Sequence, residues 1–348
     1  MKLKSAVAVI AALTIALFTA GCSDKQNETK TSEDSGSYPE KAITMIIPYS
    51  AGGTADVTGR QFAIQLSKHL NQTITVVNQA GASGSIGCKT VLDAPKDGYT
   101  LLYMADSLGT QRVMGISDIS YNDYDPVMAV VNDPKIIVVD KKSKYNTLED
   151  LLNDMKANPG KIKMSYTGPG GSGHVQGLIL SKLGYDASMT AYPGGNECVL
   201  AVLGNQVDFT NANYSTAAGY IESGDLKLLG VSANTRLPQY PDVPTITEIL
   251  PEAKEYVDIP FSPLSLLVAK GVSEDVQNTL REAAKKAVEE EDWKKFVEEN
   301  NLDKLYEKYP ETEDIKEFYS QWESLVSWLL SDAGATKHSP EEFNIPRP

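Results

Sequence analysis

Cysteine is scarce, with three residues in a chain of 348. Cys22 stands at the end of an apolar leader, so only Cys88 and Cys198 remain for the body, far apart in sequence. They allow one disulfide or, as the reading favoured here, two buried free thiols; no disulfide framework or cysteine-built metal site can be written. Histidine is equally rare: His69, His174 and His338 are dispersed, and no metal or cofactor is called for. Basic residues are outnumbered, 32 Lys and Arg against 46 Asp and Glu, for a net charge of −14. Nucleic acid needs a basic patch to displace counterions, and this chain has none. An acidic surface does not attract anions either, so an anion site has to be local and built from short-range donors. After the first 22 residues no apolar run is long enough to cross a bilayer.

The leader itself is informative. Lys2 and Lys4 precede an apolar run from Ser5 to Ala20, and Thr19-Ala20-Gly21-Cys22 follows. This has the form of a secretory signal ending in a lipobox, which predicts lipidation of Cys22 by acyl chains such as palmitate and a membrane-anchored lipoprotein on the extracytoplasmic face. Ser23 to Ser37 contains no side chain able to join a core and reads as a flexible tether. The body from Tyr38 onward has about 310 residues, above the size at which one core divides. Two lobes are expected, with residues 38–138 and 257–348 forming the first and 139–256 the second.

Strand-like and helical segments alternate through the body. Ala42 to Ile47, a helix from Val57 to Leu70, Thr73 to Val77, a helix to Asp93, and Gly98 to Met104 form a βαβαβ order that predicts a parallel sheet with its loops at the strands' carboxyl ends. The pattern restarts after Met128. Thr147-Leu148-Glu149-Asp150 opens a helix as a capping box, Asn158-Pro159-Gly160 stops it, and strands at Lys163 to Tyr166, Met189 to Tyr192, Val207 to Thr210 and Leu226 to Val231 suggest a second parallel sheet. Two apolar stripes, Val276-Leu280-Ala283-Ala284-Ala287-Val288 and Phe318-Trp322-Leu325-Val326-Leu329, predict amphipathic helices near the end of the chain.

Three loops, Ser50 to Asp56, Gly81 to Ser85 and Thr167 to His174, each follow a strand, open a helix and are rich in glycine and hydroxyls. Unpaired N–H groups and the positive helix end make such loops anion sites. Gly53 is followed by Thr54-Ala55-Asp56, not by the Lys-Ser/Thr of a phosphate loop, and the adjacent Gly52 and Gly53 do not fit a dinucleotide fingerprint. None of the three loops contains Lys or Arg.

Tyr38-Pro39-Glu40-Lys41, Ile47-Pro48-Tyr49 with Ala51-Gly52-Gly53-Thr54-Ala55-Asp56, Asn78 with Gly81-Ala82-Ser83-Gly84 and Ile86-Gly87, and Asp97-Gly98-Tyr99-Thr100-Leu101-Leu102 resemble the tripartite tricarboxylate transporter receptors, the Bug or TctC-like family. Asn158-Pro159-Gly160-Lys161, Tyr192-Pro193-Gly194-Gly195, Gly204-Asn205-Gln206-Val207-Asp208 and Pro241-Asp242-Val243-Pro244-Thr245 keep the resemblance in register to about Ala335. The resemblance implies an α/β periplasmic-binding-protein fold, type II-like, of two α/β lobes with a ligand cleft between them. It also implies an extracytoplasmic solute-binding protein, not an enzyme, that captures a small carboxylate and delivers it to the membrane subunits of the transporter.

Carried onto this chain, Tyr49, Ser50, Gly53, Thr54 and Asp56 would line one side of the cleft with Ala82, Ser83 and Ser85. Gly171, Ser172, His174, Gly195, Asn196 and Asn213 would face them. Family members often have a hydroxyl where this chain has Gly171, so Ser172 is expected to supply it. Asp56 and His174 each carry two readings, ligand contact or structural support. The competing function is a secreted hydrolase with Ser172 as nucleophile, since Gly170-Gly171-Ser172-Gly173-His174 approaches G-x-S-x-G until its final residue.

Overall fold

The computed structural model describes residues 38–348. The signal segment, Cys22 and the tether lie outside the described residues.

The first half of the body follows the expected alternation. In chain order it contains β1 (Ile43–Ile47), α1 (Thr54–Leu70), β2 (Ile74–Asn78), α2 (Ser85–Asp93), β3 (Thr100–Met104) and β4 (Tyr124–Asn132). β1 is buried on both faces, as a central parallel strand requires, and pairs in parallel with β2 and β3. α1 begins three residues before the expected Val57, because the glycine loop ends abruptly at the N-cap Gly53.

The second region comprises β5 (Lys135–Asp140), α3 (Leu148–Ala157), β6 (Lys163–Thr167), α4 (Ser172–Lys182), β7 (Ser188–Tyr192), α5 (Gly195–Leu203), β8 (Phe209–Asn213), α6 (Tyr214–Glu222) and β9 (Leu226–Val231). The capping box at α3 forms as read, with the Thr147 hydroxyl accepting from Asp150 N. α6, which opens at the strand end of β8, carries no periodic signal strong enough to be anticipated.

The chain returns through α7 (Ile246–Ile249) and α8 (Lys254–Val257) to β10 (Pro263–Ala269), then α9 (Glu274–Ala287), α10 (Glu291–Glu299), β11 (Asp303–Lys304), α11 (Leu305–Lys308) and α12 (Thr312–Asp332). The terminal stripes form core faces. Phe62 of α1 packs on Trp293 of α10 with ring centroids 5.3 Å apart, and Trp322 of α12 is buried and donates from Nε1 to Pro260 O at 3.1 Å. Leu325 is only half-buried on the edge of its stripe.

Two sheets result, a six-stranded one in the order β11-β4-β10-β3-β1-β2 and a five-stranded one in the order β7-β6-β8-β5-β9. Neither is purely parallel, contrary to expectation. β10 runs antiparallel to both β3 and β4, and β5 runs antiparallel to both β8 and β9. The reversals belong to the segments that carry the chain between sheets, and strand direction there is set by the crossing, not by a βαβ unit.

Val139, the expected boundary, lies inside β5; the chain leaves the first sheet after Asn132 and enters the second at Lys135. The return crossing likewise falls just before β10, past Tyr256 of α8. The two crossings are tied together, since Ser262 N donates to Asn132 Oδ1 at 2.8 Å and Asp133 N donates to Ser262 O at 3.3 Å. Cys88 and Cys198 are both buried and unbridged.

Candidate functional site

The loop after β1 is held from behind by Asp56. Its carboxylate accepts from Gly52 N at 2.9 Å, Arg60 Nε at 2.7 Å and Asn78 Nδ2 at 2.9 Å, and Asn78 Nδ2 also donates to Tyr49 O at 3.1 Å. Gly52 has φ +78°, a conformation that costs a side-chain-bearing residue free energy. Asp56 is therefore neither an N-cap nor part of the cleft wall: it is buried in the first turn and braces the glycine loop. Thr54, two positions earlier, points the other way. Its hydroxyl lies 3.0 Å from that of Thr216 and 3.3 Å from that of Ser215, both on α6 of the second sheet.

The loop after β2 contains four consecutive residues with positive φ, from Gly81 to Gly84. Two of these, Ala82 and Ser83, bear side chains, and such strain persists only where neighbours impose it. Here Ser107 Oγ and Gln111 Nε2 both donate to Ser83 O, at 2.9 and 2.8 Å. Ser83 Oγ in turn donates to Pro169 O of the third loop at 3.1 Å.

In that third loop Gly170 N donates to His174 Nδ1 at 3.2 Å, and the imidazole stacks on Tyr166 with centroids 4.8 Å apart. Burial lowers the His174 pKa to about 4, so the ring is a neutral brace. The Ser172 hydroxyl is 3.1 Å from that of Ser262. His174 Nδ1 is committed to Gly170 and makes no hydrogen bond to Ser172, so the serine–histidine pair of such a motif is not formed, and the hydrolase reading has no support.

These loops enclose a cavity of about 630 Å³ between the two sheets. Of the expected residues it is lined by Tyr49, Ser50, Gly53, Thr54, Ala82, Ser83, Gly171, Ser172, Gly195 and Asn213. Asp56, Ser85, His174 and Asn196 do not line it; Asn196 packs instead beside Gly52 at the rim.

The N-caps of α1, α2, α4, α5 and α6 are Gly53, Gly84, Gly171, Gly194 and Asn213, and all of them line the cavity. None is capped by its own side chain. Each end presents unpaired N–H groups and roughly half a positive charge. Two of the ends are served from within the protein. Asp106 accepts from Ser172 N at the start of α4, and Asp133 accepts from Ser215 N at the start of α6, at 3.3 Å, and from the Ser215 hydroxyl. The start of α2 has no carboxylate in its first turn, whereas α1 carries Asp56 and α5 carries Glu197 in theirs, and the three face a common space.

One cation was missed. Lys135, the first residue of β5, lines the cavity and is buried, donating from Nζ to Asn213 Oδ1 at 2.5 Å. Burial lowers its pKa, opposed by the charges of Asp106 and Asp133. Burial likewise raises Asp133 to about 6 against the hydrogen bonds of Ser215, and raises Asp106 against the Lys135 charge. Asp106, Ser107, Asp133, Lys135, Ser215, Thr216 and Ser262 all escaped the sequence reading. The only signal in their neighbourhood was an acidic residue two positions after each of the strand-like runs that end at Met104 and Val131.

Loop N–H groups, hydroxyls and converging helix ends suit a small anion held without an arginine clamp. The chain belongs to the tripartite tricarboxylate transporter family receptors, whose family model matches residues 58–327. These are solute-binding proteins of the periplasmic-binding-protein fold. Among relatives, Protein BugT of Bordetella pertussis is 32% identical over 217 residues, covering 61% of this chain and 67% of that protein. The structure of periplasmic binding protein BugD superposes with a TM-score of 0.79 at 25% identity, covering 86% of this chain and 100% of that one. MatC from Rhodopseudomonas palustris with bound malate superposes with a TM-score of 0.72 at 22% identity, covering 83% and 100%. No helix among the described residues is long and apolar enough to cross a membrane.

Proposed function

We propose that this protein is an extracytoplasmic receptor that captures a small organic carboxylate and delivers it to the membrane subunits of a tripartite transporter. The observation that carries this reading is the convergence of five glycine- or asparagine-capped helix ends on one cavity, none of them capped by its own N-cap side chain. A ligand carboxylate placed there takes hydrogen bonds from the N–H groups of the first and second loops and from the Thr54 hydroxyl. Malate bound to MatC is a precedent in the same fold.

Capture requires access. The region from Tyr38 to Asn132 with Pro263 to Pro348 forms one lobe and Lys135 to Val231 the other, and the paired crossings at Asp133-Pro134 and Ser262 act as the hinge. The hydrogen bonds Thr54–Thr216, Ser83–Pro169 and Asp106–Ser172 then belong to the closed state. Retention at the cell surface comes from lipid on Cys22, with residues 23–37 as the tether.

Titration calorimetry of the purified protein against mono-, di- and tricarboxylates tests the reading. Saturable binding of at least one class, without product formation, is expected; binding of none overturns it.

A further inference from the structure

Three buried charges stand at one wall of the cavity. Lys135 is 4% exposed, Asp106 7% and Asp133 0%. Lys135 and Asp106 line the cavity, whereas Asp133 lies behind it. Each aspartate sits at a helix start, Asp106 against Ser172 N and Asp133 against Ser215 N. The Lys135 ammonium donates to Asn213 and makes no ion-pair contact with either aspartate, although both influence it at longer range.

The sum of these charges restricts the ligand. One ammonium against two carboxylates leaves an excess negative charge, and the carboxylate on the cavity side is Asp106. A ligand carboxylate is accommodated by loop N–H groups at the starts of α1, α2 and α5, none of which is capped by its N-cap side chain. A second carboxylate on the same molecule would face the buried Asp106, where like charges repel. Lys135 relieves this only in part, because one ammonium is shared between Asp106, the larger influence on it, and Asp133. A cationic nitrogen on the ligand, in contrast, gives Asp106 the partner that no side chain in the cavity supplies within ion-pair distance.

We propose that the receptor selects a zwitterion, a monocarboxylate that also carries an amine or quaternary nitrogen directed at Asp106, in preference to a dicarboxylate. The inference rests on the receptor reading above and narrows it. Asp106 and Lys135 are the specificity-determining pair: Asp106 attracts the cationic group, and Lys135 keeps the wall from accepting more than one positive charge.

The test is calorimetry on the full protein with ligands matched in size: glutarate against 4-aminobutyrate, and valerate against norvaline. The amino member of at least one pair is expected to bind about 10-fold tighter or more. Asp106→Asn keeps an acceptor for Ser172 N and should abolish that preference; Lys135→Gln should increase it. Should Asp106→Asn not fold, the wild-type ranking and Lys135→Gln still decide. Dicarboxylates that bind the wild type as tightly as the amino acids overturn the inference while leaving the receptor reading intact. No binding by any compound, valerate included, overturns both.

Discussion

The hydroxyls of Thr54 and Thr216 meet at 3.0 Å across the cavity, one on the first helix of the first sheet and the other on the helix that follows β8 of the second. Thr54 thus sits at the start of α1, lining the cavity, and also at a contact between the two sheets. Thr54→Val keeps the shape and removes the hydroxyl. Because a hydrogen bond to a charged oxygen contributes about 1.5–3 kcal/mol, carboxylate affinity should fall roughly 10- to 150-fold. The melting temperature of the unliganded protein should move little, and unchanged affinity in calorimetry would place the carboxylate elsewhere.

Asp56 makes a contrasting prediction. Its three hydrogen bonds all go to the protein, to Gly52, Arg60 and Asn78. Asp56→Ala should destabilise the fold by about 2–4 kcal/mol, through the loss of charged hydrogen bonds at a buried site. Urea unfolding measures this directly. A variant as stable as wild type but unable to bind would return Asp56 to the ligand site.

Asp133 and His174 carry opposite pH dependences. The folded-state pKa of Asp133 is raised to about 6 from an ordinary 3.8, so the folded protein takes up protons first and this group favours folding as pH falls through 6 toward 4. His174 is lowered to about 4 from 6.5, so the unfolded chain takes up protons first and this group disfavours folding across nearly the same window. The two offset each other in the wild type. In Asp133→Asn the histidine effect is no longer offset by Asp133, and stability should decline between pH 6.5 and 4 more steeply than in the wild type. In His174→Gln the slope should have the opposite sign. Denaturant midpoints at pH 7 and 5 for the three proteins check it, and parallel slopes would contradict it.

Lipid anchoring is tested separately. Wild-type protein should sediment with membranes, and Cys22→Ala should be released into the soluble fraction. Equal release of both proteins would remove the anchor from the proposal.

Much of the scaffold was legible because its signals are local. The Thr147 capping box, the Asn158-Pro159-Gly160 stop and the stripes of α9 and α12 are decided by residues three or four positions apart. β10 was not legible. It is buried along its whole length between β3 and β4, so it lacks the alternation of a one-sided strand, and Pro263 at its first position disguises its start. Among the site residues, Ser85 and Asn196 belong to the right loops yet face away, because the direction of a side chain at a helix start depends on how the loop enters.

The sequence by itself determined much of the succession of strands and helices, and the three glycine loops with their hydroxyls. Each depends on a few consecutive residues and the dihedral angles they permit. Only the tertiary structure decided the electrostatics of the cavity. Lys135 reads as an ordinary polar residue opening a strand. It becomes a buried cation because β5 lies between β8 and β9 and brings it against Asn213, while Asp106 arrives from the other sheet at the start of α4. Burial of a charge is a property of the groups gathered around it, and here those groups are separated by up to about a hundred residues of chain and joined only by the order of strands in two sheets.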